Sequence, residues 1–142
     1  MKAILKFLSV LFFSLITITA ASAADREEKV IYHISDSSNA SVALRNARNH
    51  LDQSPKVKIV FVTHGPGIDF LLDGAQDKNG NPYDIAVQEL AARKVEFRVC
   101  NNTLVSRNID KSKLLPETSI VPSGVAEVSR LQIQEGYAYI KP

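Results

Sequence analysis

The chain has 142 residues, with 17 basic and 15 acidic side chains, a single cysteine and no tryptophan. Two of the basic residues and none of the acidic ones fall in the first 23 positions, so the charges of the remaining chain balance. A nucleic-acid-binding protein would carry a basic cluster. The composition therefore excludes that class, and the length is that of one small domain.

The first 23 residues have the three-part pattern of a secretory signal peptide. Two lysines form a positive start, an apolar stretch runs through residues 11–16, and Ala-Ser-Ala follows at 21–23. The apolar stretch is interrupted by hydroxyl side chains and is shorter than the ~20 residues that a membrane-spanning helix needs. We therefore expect cleavage after Ala23, a periplasmic or secreted protein without a membrane anchor, and a single α/β domain at residues 24–142.

Strands and helices alternate along the rest of the chain. Short runs rich in β-branched residues predict strands, and apolar residues at helical spacing predict helices between them. The expected strands are residues 29–35, 56–63, 95–100, 118–121 and 137–140. The first expected helix follows the capping residues 37–39 and ends at Pro55, and a short helical piece covers residues 68–72. The next helix starts at residue 82 or 83 and ends at 93. A further helix runs from possible caps at 101–103 to about 109, and the last one starts at Gly124 with Ser123 as its N-cap.

Apolar spacing also predicts which residues of the two later long helices face the core. On the helix that ends near Arg93 these are Ile85, Ala86, Leu90 and Ala91. On the last helix they are Val125, Val128, Leu131 and Ile133.

Alternating strands and helices indicate a mainly parallel sheet with helices on both faces. In such sheets ligands collect beyond the carboxyl ends of the strands. Four segments are expected along that edge, namely residues 35–37, 64–67, 100–102 and 122–124.

Cys100 is the most informative residue at this edge. A lone cysteine cannot form an internal disulfide. It stands where a strand passes into a helix, and backbone N–H groups at such a position favour the thiolate. Arg98, two residues earlier, lies on the same face of the strand and is a candidate to support the thiolate. The alternative is that Cys100 is simply a small buried side chain.

Histidine residues offer a second candidate group. His64 follows the second strand and is a candidate to orient a ligand or to take up the proton of the thiol. A histidine that makes only local hydrogen bonds in its glycine turn is the competing interpretation. His33 lies inside a strand and His50 on a polar helix face, so we interpret both as structural.

Other kinds of site are poorly supported. The sequence has no cluster of Cys and His at metal-ligand spacing, and the turn at 65–67 (Gly-Pro-Gly) lacks the lysine of a phosphate loop. Pro82 and Gln88 stand where a calcium loop starting at Asp77 would need glycine and glutamate. No serine-hydrolase elbow is present. We therefore expect no metal and no cofactor.

The order of elements, with Val-Thr-His-Gly-Pro at 62–66 and Phe-Arg-Val-Cys-Asn-Asn-Thr-Leu at 97–104, resembles the DsrE/DsrF-like family. The resemblance covers residues 24–142. It implies a three-layer α/β/α fold with a five-stranded parallel sheet and frequent assembly into homotrimers or hexamers. It also implies a cysteine that carries sulfur as a persulfide, a role that only Cys100 can take here.

Two functions follow as hypotheses. The first is a periplasmic sulfur carrier or sulfurtransferase-like protein that acts through Cys100, with a small sulfur species or a thiol-bearing protein as partner. Whether such a protein would turn over as an enzyme is left open. Its terminal sulfur would need donors, for which the candidates are Asn101, Asn102, the backbone of Gly65, His64 and Arg98. The second is a non-enzymatic module that binds a small ligand or a protein, with a structural cysteine.

Overall fold

A computed structural model describes residues 27–142, so the expected signal peptide and its cleavage site lie outside the described residues. The elements alternate as the sequence predicts. The strands are β1 (Lys29–Ile34), β2 (Lys58–Thr63), β3 (Glu96–Cys100), β4 (Thr118–Val121) and β5 (Ala138–Ile140). The α-helices are α1 (Ala40–Gln53), α2 (Tyr83–Ala92), α3 (Asn101–Ser106) and α4 (Gly124–Glu135), and 3₁₀ segments span Ser37–Asn39, Gly65–Leu71 and Lys111–Lys113.

The five strands form one sheet in the order β4-β3-β2-β1-β5, and every neighbouring pair is parallel. This confirms the predicted sheet. From β1 to β4 the chain steps across the sheet in one direction, and α4 then returns it to the far side of β1. Because parallel crossovers are right-handed, this reversal places α4 on the face opposite the earlier helices.

Aromatic side chains fill the core on the first face, beneath α1 and α2. Tyr32, Phe61 and Phe97 are register partners on β1, β2 and β3. Their rings stack at centroid distances of 5.2 Å between Tyr32 and Phe61 and 4.9 Å between Phe61 and Phe97. Large rings in this offset arrangement supply much of the apolar burial of a small domain.

The second face is covered by α4 over a narrower area. Val128 and Leu131 of α4 pack with Ile31, Val60, Val62 and Tyr137 in a separate small cluster. The expectation that Val125 and Ile133 also face the core is wrong, because they are 63% and 80% exposed. Among residues 27–142 no other helix flanks α4 on this face, and the buried stripe of α4 is limited to positions 124, 127, 128 and 131.

The prediction of which residues of α2 face the core is also partly wrong. Leu90 is fully buried as expected, and Ala86 and Ala91 pack partly buried against the core. Ile85, however, is 65% exposed, and Val87 takes the buried position instead. Apolar character alone selected Ile85, whereas the turn of the helix places Val87 next to Leu90 on the inner face.

The expected caps are only partly correct. Ser123 is the N-cap of α4, since its hydroxyl accepts a hydrogen bond from the Ala126 N–H at 3.4 Å. Residues 37–39 form a 3₁₀ turn that is itself capped by Asp36. Helix α3 begins directly after Cys100 without a side-chain cap and ends at Ser106, well before 109, since the chain turns into a positive φ at Asn108. Within residues 27–142 no helix is long and apolar enough to cross a membrane.

Gly67 fixes the turn after β2 against the end of β1. A Cβ added at Gly67 would lie 2.1 Å from the carbonyl oxygen of Ile34 and 2.8 Å from the Cα of Ser35. These atoms belong to the backbone and cannot move aside cheaply. The absence of a side chain at this position therefore sets where the residues just after β2 can lie.

We predict that Gly67→Ala lowers the free energy of unfolding by roughly 3 kcal/mol, the upper end of the range for overpacked sites. Urea denaturation measures the loss. Gly136→Ala is the matched control, because Gly136 has a φ of 71° but nothing within 4 Å of an added Cβ. It should lose only about 1 kcal/mol for the left-handed backbone. Equal losses in the two variants would contradict the rigid contact between the turn and β1.

Candidate functional site

The carboxyl ends of β2 and β3 meet the beginning of α4. A Cβ at Gly124 would lie 3.1 Å from the carbonyl oxygen of Thr63, 3.2 Å from the Cβ of His64 and 3.3 Å from the Cβ of Cys100. The segment just before Gly124 is also held by a hydrogen bond, because the Asn102 N–H donates to the carbonyl of Pro122 at 3.3 Å. Two of the segments predicted for this edge, 100–102 and 122–124, therefore touch.

Cys100 is the N-terminal boundary residue of α3 and is only 5% exposed. Burial raises the pKa of its thiol. This effect is outweighed by hydrogen bonds to the sulfur from the backbone N–H of Gly124, the hydroxyl of Thr103 and the backbone N–H groups of Thr103 and Asn102, which together hold the pKa below its ordinary value. The site thus favours a thiolate, the nucleophilic form of cysteine.

Thr103 connects the Gly65 turn to the sulfur. The Gly65 N–H donates to the Thr103 hydroxyl oxygen at 2.9 Å, and the hydroxyl proton is then free to bind Cys100. The contribution of Gly65 is therefore indirect. Sequence reasoning treated Thr103 only as a possible helix cap, because its position one turn into α3 and its distance of 38 residues from Gly65 hide this contact.

The two asparagines named as candidate donors lie differently with respect to the Cys100 sulfur. Asn102 reaches the sulfur through its backbone N–H. Within residues 27–142, neither the Asn101 nor the Asn102 side chain forms a hydrogen bond with Cys100. Asn101 instead lines a surface groove on the outer side of α3, together with Leu104, Val105, Asn108, Ile109, Asp110 and Lys111.

Arg98 lies on the same strand face as Cys100, but its guanidinium binds carboxylates. It pairs with Glu96 at 2.6 Å and with Glu127 of α4. Arg130 also pairs with Glu127, at 2.8 Å. The charge of Arg98 is therefore neutralised locally, and the ion cluster joins β3 to α4.

His64 contacts another histidine. Its Nε2 lies 2.7 Å from the Nε2 of His33, and the Nδ1 of His33 lies 2.6 Å from the hydroxyl of Tyr139. Burial lowers the pKa of both imidazoles, and the charge of Lys141 lowers both further, with an added effect of His64 on His33. His33, which the sequence placed among the structural residues, thus belongs to the same edge of the sheet. In the described residues His64 makes no hydrogen bond with Cys100.

Metal ligands are sparse across residues 27–142, where no group of three or more His, Cys, Asp or Glu side chains could hold an ion. This edge of the sheet carries several groups with chemistry of their own. It has one activated sulfur, two neutral imidazoles and backbone donors.

The fold and the site define a parallel α/β protein with a hydrogen-bonded cysteine at the carboxyl edge of its sheet. A family model described as DsrE/DsrF-like matches residues 28–142, and the chain belongs to this family. The resemblance seen in the sequence is thereby confirmed.

Solved structures support the same fold. The protein of unknown function MTH1491 from Methanobacterium thermoautotrophicum is 31% identical with a TM-score of 0.73, and the match covers 82% of this chain and 100% of that one. The ychN protein from E. coli is 13% identical with a TM-score of 0.65, and the match covers 83% of this chain and 100% of that one. The second likeness shows the fold alone. No curated protein matches the chain.

We predict that Thr103→Val raises the pKa of Cys100, because it removes the hydroxyl that donates to the sulfur. A hydrogen bond to a charged acceptor such as a thiolate is worth roughly 1.5 kcal/mol or more. This corresponds to at least about a tenfold fall in the acid dissociation constant of the thiol. Thiolate absorbance followed against pH measures it. Thr118→Val is the control, since that hydroxyl donates to the Leu115 carbonyl at 2.8 Å, away from the sulfur. An unchanged titration of Cys100 in Thr103→Val would refute the assignment.

Proposed function

We propose that this protein is a sulfur carrier or sulfurtransferase-like protein that holds sulfane sulfur as a persulfide on Cys100. The observation that carries the proposal is the set of donors around the sulfur, from Gly124, Thr103 and Asn102. They lower the pKa of the thiol and so favour the thiolate, which is the form that attacks sulfur. Membership of the DsrE/DsrF-like family makes sulfur relay the function class to test first.

The reaction requires no cofactor. The Cys100 thiolate attacks the outer sulfur of a polysulfide or persulfide, a bond forms between the two sulfurs, and the bond to the donor breaks. The departing thiolate keeps the electron pair of that bond. In the reverse sense, the thiol of a small molecule or of a partner protein attacks the terminal sulfur and regenerates the Cys100 thiolate. The same donors that stabilise the thiolate would stabilise it as the leaving group.

The burial of the Cys100 sulfur limits the size of the molecule that can donate sulfur to it. Cys100 is 5% exposed, while Asn102 and Pro122 beside it are exposed. The sulfur thus lies just below the surface. A narrow polysulfide fits this access better than the bulky face of a folded protein, so we propose a small sulfur species as the first donor.

The burial of Cys100 favours the second candidate function, a non-enzymatic binding or assembly module in which the cysteine is structural. A packed free cysteine behaves as a small apolar side chain. The two candidates predict different reactivity, because a structural thiol reacts with alkylating reagents only after unfolding whereas a carrier thiol reacts in the folded protein.

Location and assembly are further parts of the proposal. The signal-peptide pattern of residues 1–23 supports export to the periplasm. The exposed Val125 and Ile133 of α4 offer apolar contacts for a second copy of the chain, in line with the trimers or hexamers that the family resemblance implies.

We predict that the purified protein, treated with polysulfide, gains the mass of one or more sulfur atoms, and that Cys100→Ser gains none. Intact-mass spectrometry measures the change. Oxidation of the thiol to a sulfinic acid adds nearly the same mass as one sulfur, but a thiol reductant reverses only the persulfide. Reversibility is therefore part of the expected result.

Alkylation of the folded and the unfolded protein completes this experiment. A reversible gain together with alkylation in the folded state supports the sulfur carrier. No gain, together with alkylation only after unfolding, would reject it in favour of the binding module.

A further inference from the structure

Four adjacent strands bring one reactive side chain each to a single face of the sheet. His33 on β1 is the register partner of Val62 on β2, which is the partner of Arg98 on β3. His64 and Cys100 follow two residues later and remain extended, so they share that face. Tyr139 on β5 pairs with Ile31, two residues before His33. We call Tyr139, His33, His64 and Cys100 the edge row.

The first three members of the edge row form an unbroken chain of hydrogen bonds. The Nε2 atoms of His33 and His64 are 2.7 Å apart, so only one of them carries a proton. If His33 donates, its Nδ1 accepts from the Tyr139 hydroxyl at 2.6 Å and His64 is protonated on Nδ1. If His64 donates from Nε2, its Nδ1 carries no proton, His33 donates from Nδ1 to the Tyr139 oxygen, and each shared proton lies one place closer to His64. Both arrangements keep the two hydrogen bonds that join His64, His33 and Tyr139.

These two arrangements differ by the transfer of a proton along the chain. Tyr139 is 41% exposed and reaches solvent, whereas His64 lies beside Cys100 with its Cβ against Gly124. The Nδ1 of His64 has no hydrogen-bond partner within residues 27–142. The chain thus joins solvent at one edge of the sheet to a histidine whose Cβ lies beside that of the cysteine.

The charges that face the chain keep it neutral. Lys141, just after β5, opposes an imidazolium at His33 and at His64. On β3 and α4 the charges are paired, because Arg98 binds Glu96 and Glu127, and Arg130 binds Glu127 and Glu135. Asp36, which follows β1 at the same edge, accepts a hydrogen bond from the Ser38 N–H at 2.9 Å, and Cys100 is the titratable member of the edge row on β3. Neutral imidazoles are the form that passes protons in both directions.

We propose that the edge row is a proton relay for sulfur uptake, in which His64 protonates the departing thiolate and His33 and Tyr139 resupply His64 from solvent. The inference rests on the proposed function. The Cys100 thiolate bonds to the outer sulfur of a persulfide donor, the donor S–S bond breaks, and the released thiolate takes one proton from His64. His64 regains its proton from His33, His33 from Tyr139, and Tyr139 from water.

The geometry of the transfer explains why His64 need not touch the thiol. When the new bond forms, the departing sulfur lies about two S–S bond lengths, or about 4 Å, beyond the Cys100 sulfur. The acid must therefore stand beside the cysteine rather than against it. His64 would act as the acid, while His33 and Tyr139 are positioning residues that set its tautomer.

The first test measures the tautomer of His64. Nuclear magnetic resonance of the ¹⁵N-labelled histidine side chains reports it in the wild type, in Tyr139→Phe and in His50→Gln. Tyr139→Phe removes one hydroxyl from an exposed residue and leaves the contact between His33 and His64 in place. A relay predicts a changed tautomer population at His64. His50→Gln should change nothing there, because His50 contacts Tyr32 and Glu28 instead. An unchanged His64 in Tyr139→Phe overturns the relay.

The second test is the rate of polysulfide loading against pH. His64→Gln should slow loading roughly 10²-fold, the lower end of the usual contribution of a general acid. His33→Gln should slow it less and alter the pH profile, and His50→Gln should match the wild type. Loading by His33→Gln at the wild-type rate with the wild-type profile overturns the relay. If the wild type takes up no sulfur, the proposed function fails, and the tautomer measurement alone decides whether the proton chain exists.

Discussion

The candidate site depends on the close approach of Gly124 to the ends of β2 and β3. A side chain at this position would press on the Thr63 carbonyl, the His64 Cβ and the Cys100 Cβ at 3.1 to 3.3 Å. Glycine lets the first turn of α4 lie close to these atoms without such pressure, and in this position its N–H reaches the cysteine sulfur. The same approach holds His64 beside Cys100. One missing Cβ thus brings together groups from three elements that are far apart in the chain.

Burial and hydrogen bonding act in opposite directions on Cys100. A sulfur that is 5% exposed in an apolar setting would stay protonated, because burial disfavours the charged form. The donors of Gly124, Thr103 and Asn102 reverse that tendency. A surface cysteine would also form a thiolate beside a positive charge, but water would screen that charge. Donation from fixed backbone groups requires the sulfur to be enclosed, so its burial and its activation have the same structural origin.

Local sequence patterns were sufficient for the fold but not for the details of the site. The β-branched run of β2 and the apolar spacing of α1 are determined by near neighbours, so their prediction needed no tertiary contact. Ile85, Val125 and Ile133 were placed wrongly, because apolar spacing marks candidates for burial without telling how wide a stripe the neighbouring layer will cover. That width depends on how many helices share a face.

The donors and the histidine pair could not be predicted for a related reason. Strand ends indicated that residues 100–102 and 122–124 would lie along the same edge, which is a property of any parallel sheet, but not that the two segments would touch. The contacts of Thr103 with Gly65 and of His33 with His64 depend on register between strands, and each joins residues more than 30 positions apart. A lone polar residue inside a strand, such as His33, carries no local sign of which neighbour it will meet.

On the face of the sheet that α4 covers, the helical layer is narrow, which explains why this face can hold imidazole and guanidinium groups. On the first face, the stacked rings of Tyr32, Phe61 and Phe97 lie against the sheet, and the imidazole of His50 meets the Tyr32 hydroxyl at 3.2 Å. On the second, α4 is held by a short apolar cluster and by the pairing of Arg98 and Arg130 with Glu127. Arg98 thus contributes by fixing α4, and with it the Gly124 N–H, rather than by touching the sulfur. Because a single helix leaves His33 and His64 only half covered, they keep access to solvent while remaining close to the enclosed cysteine.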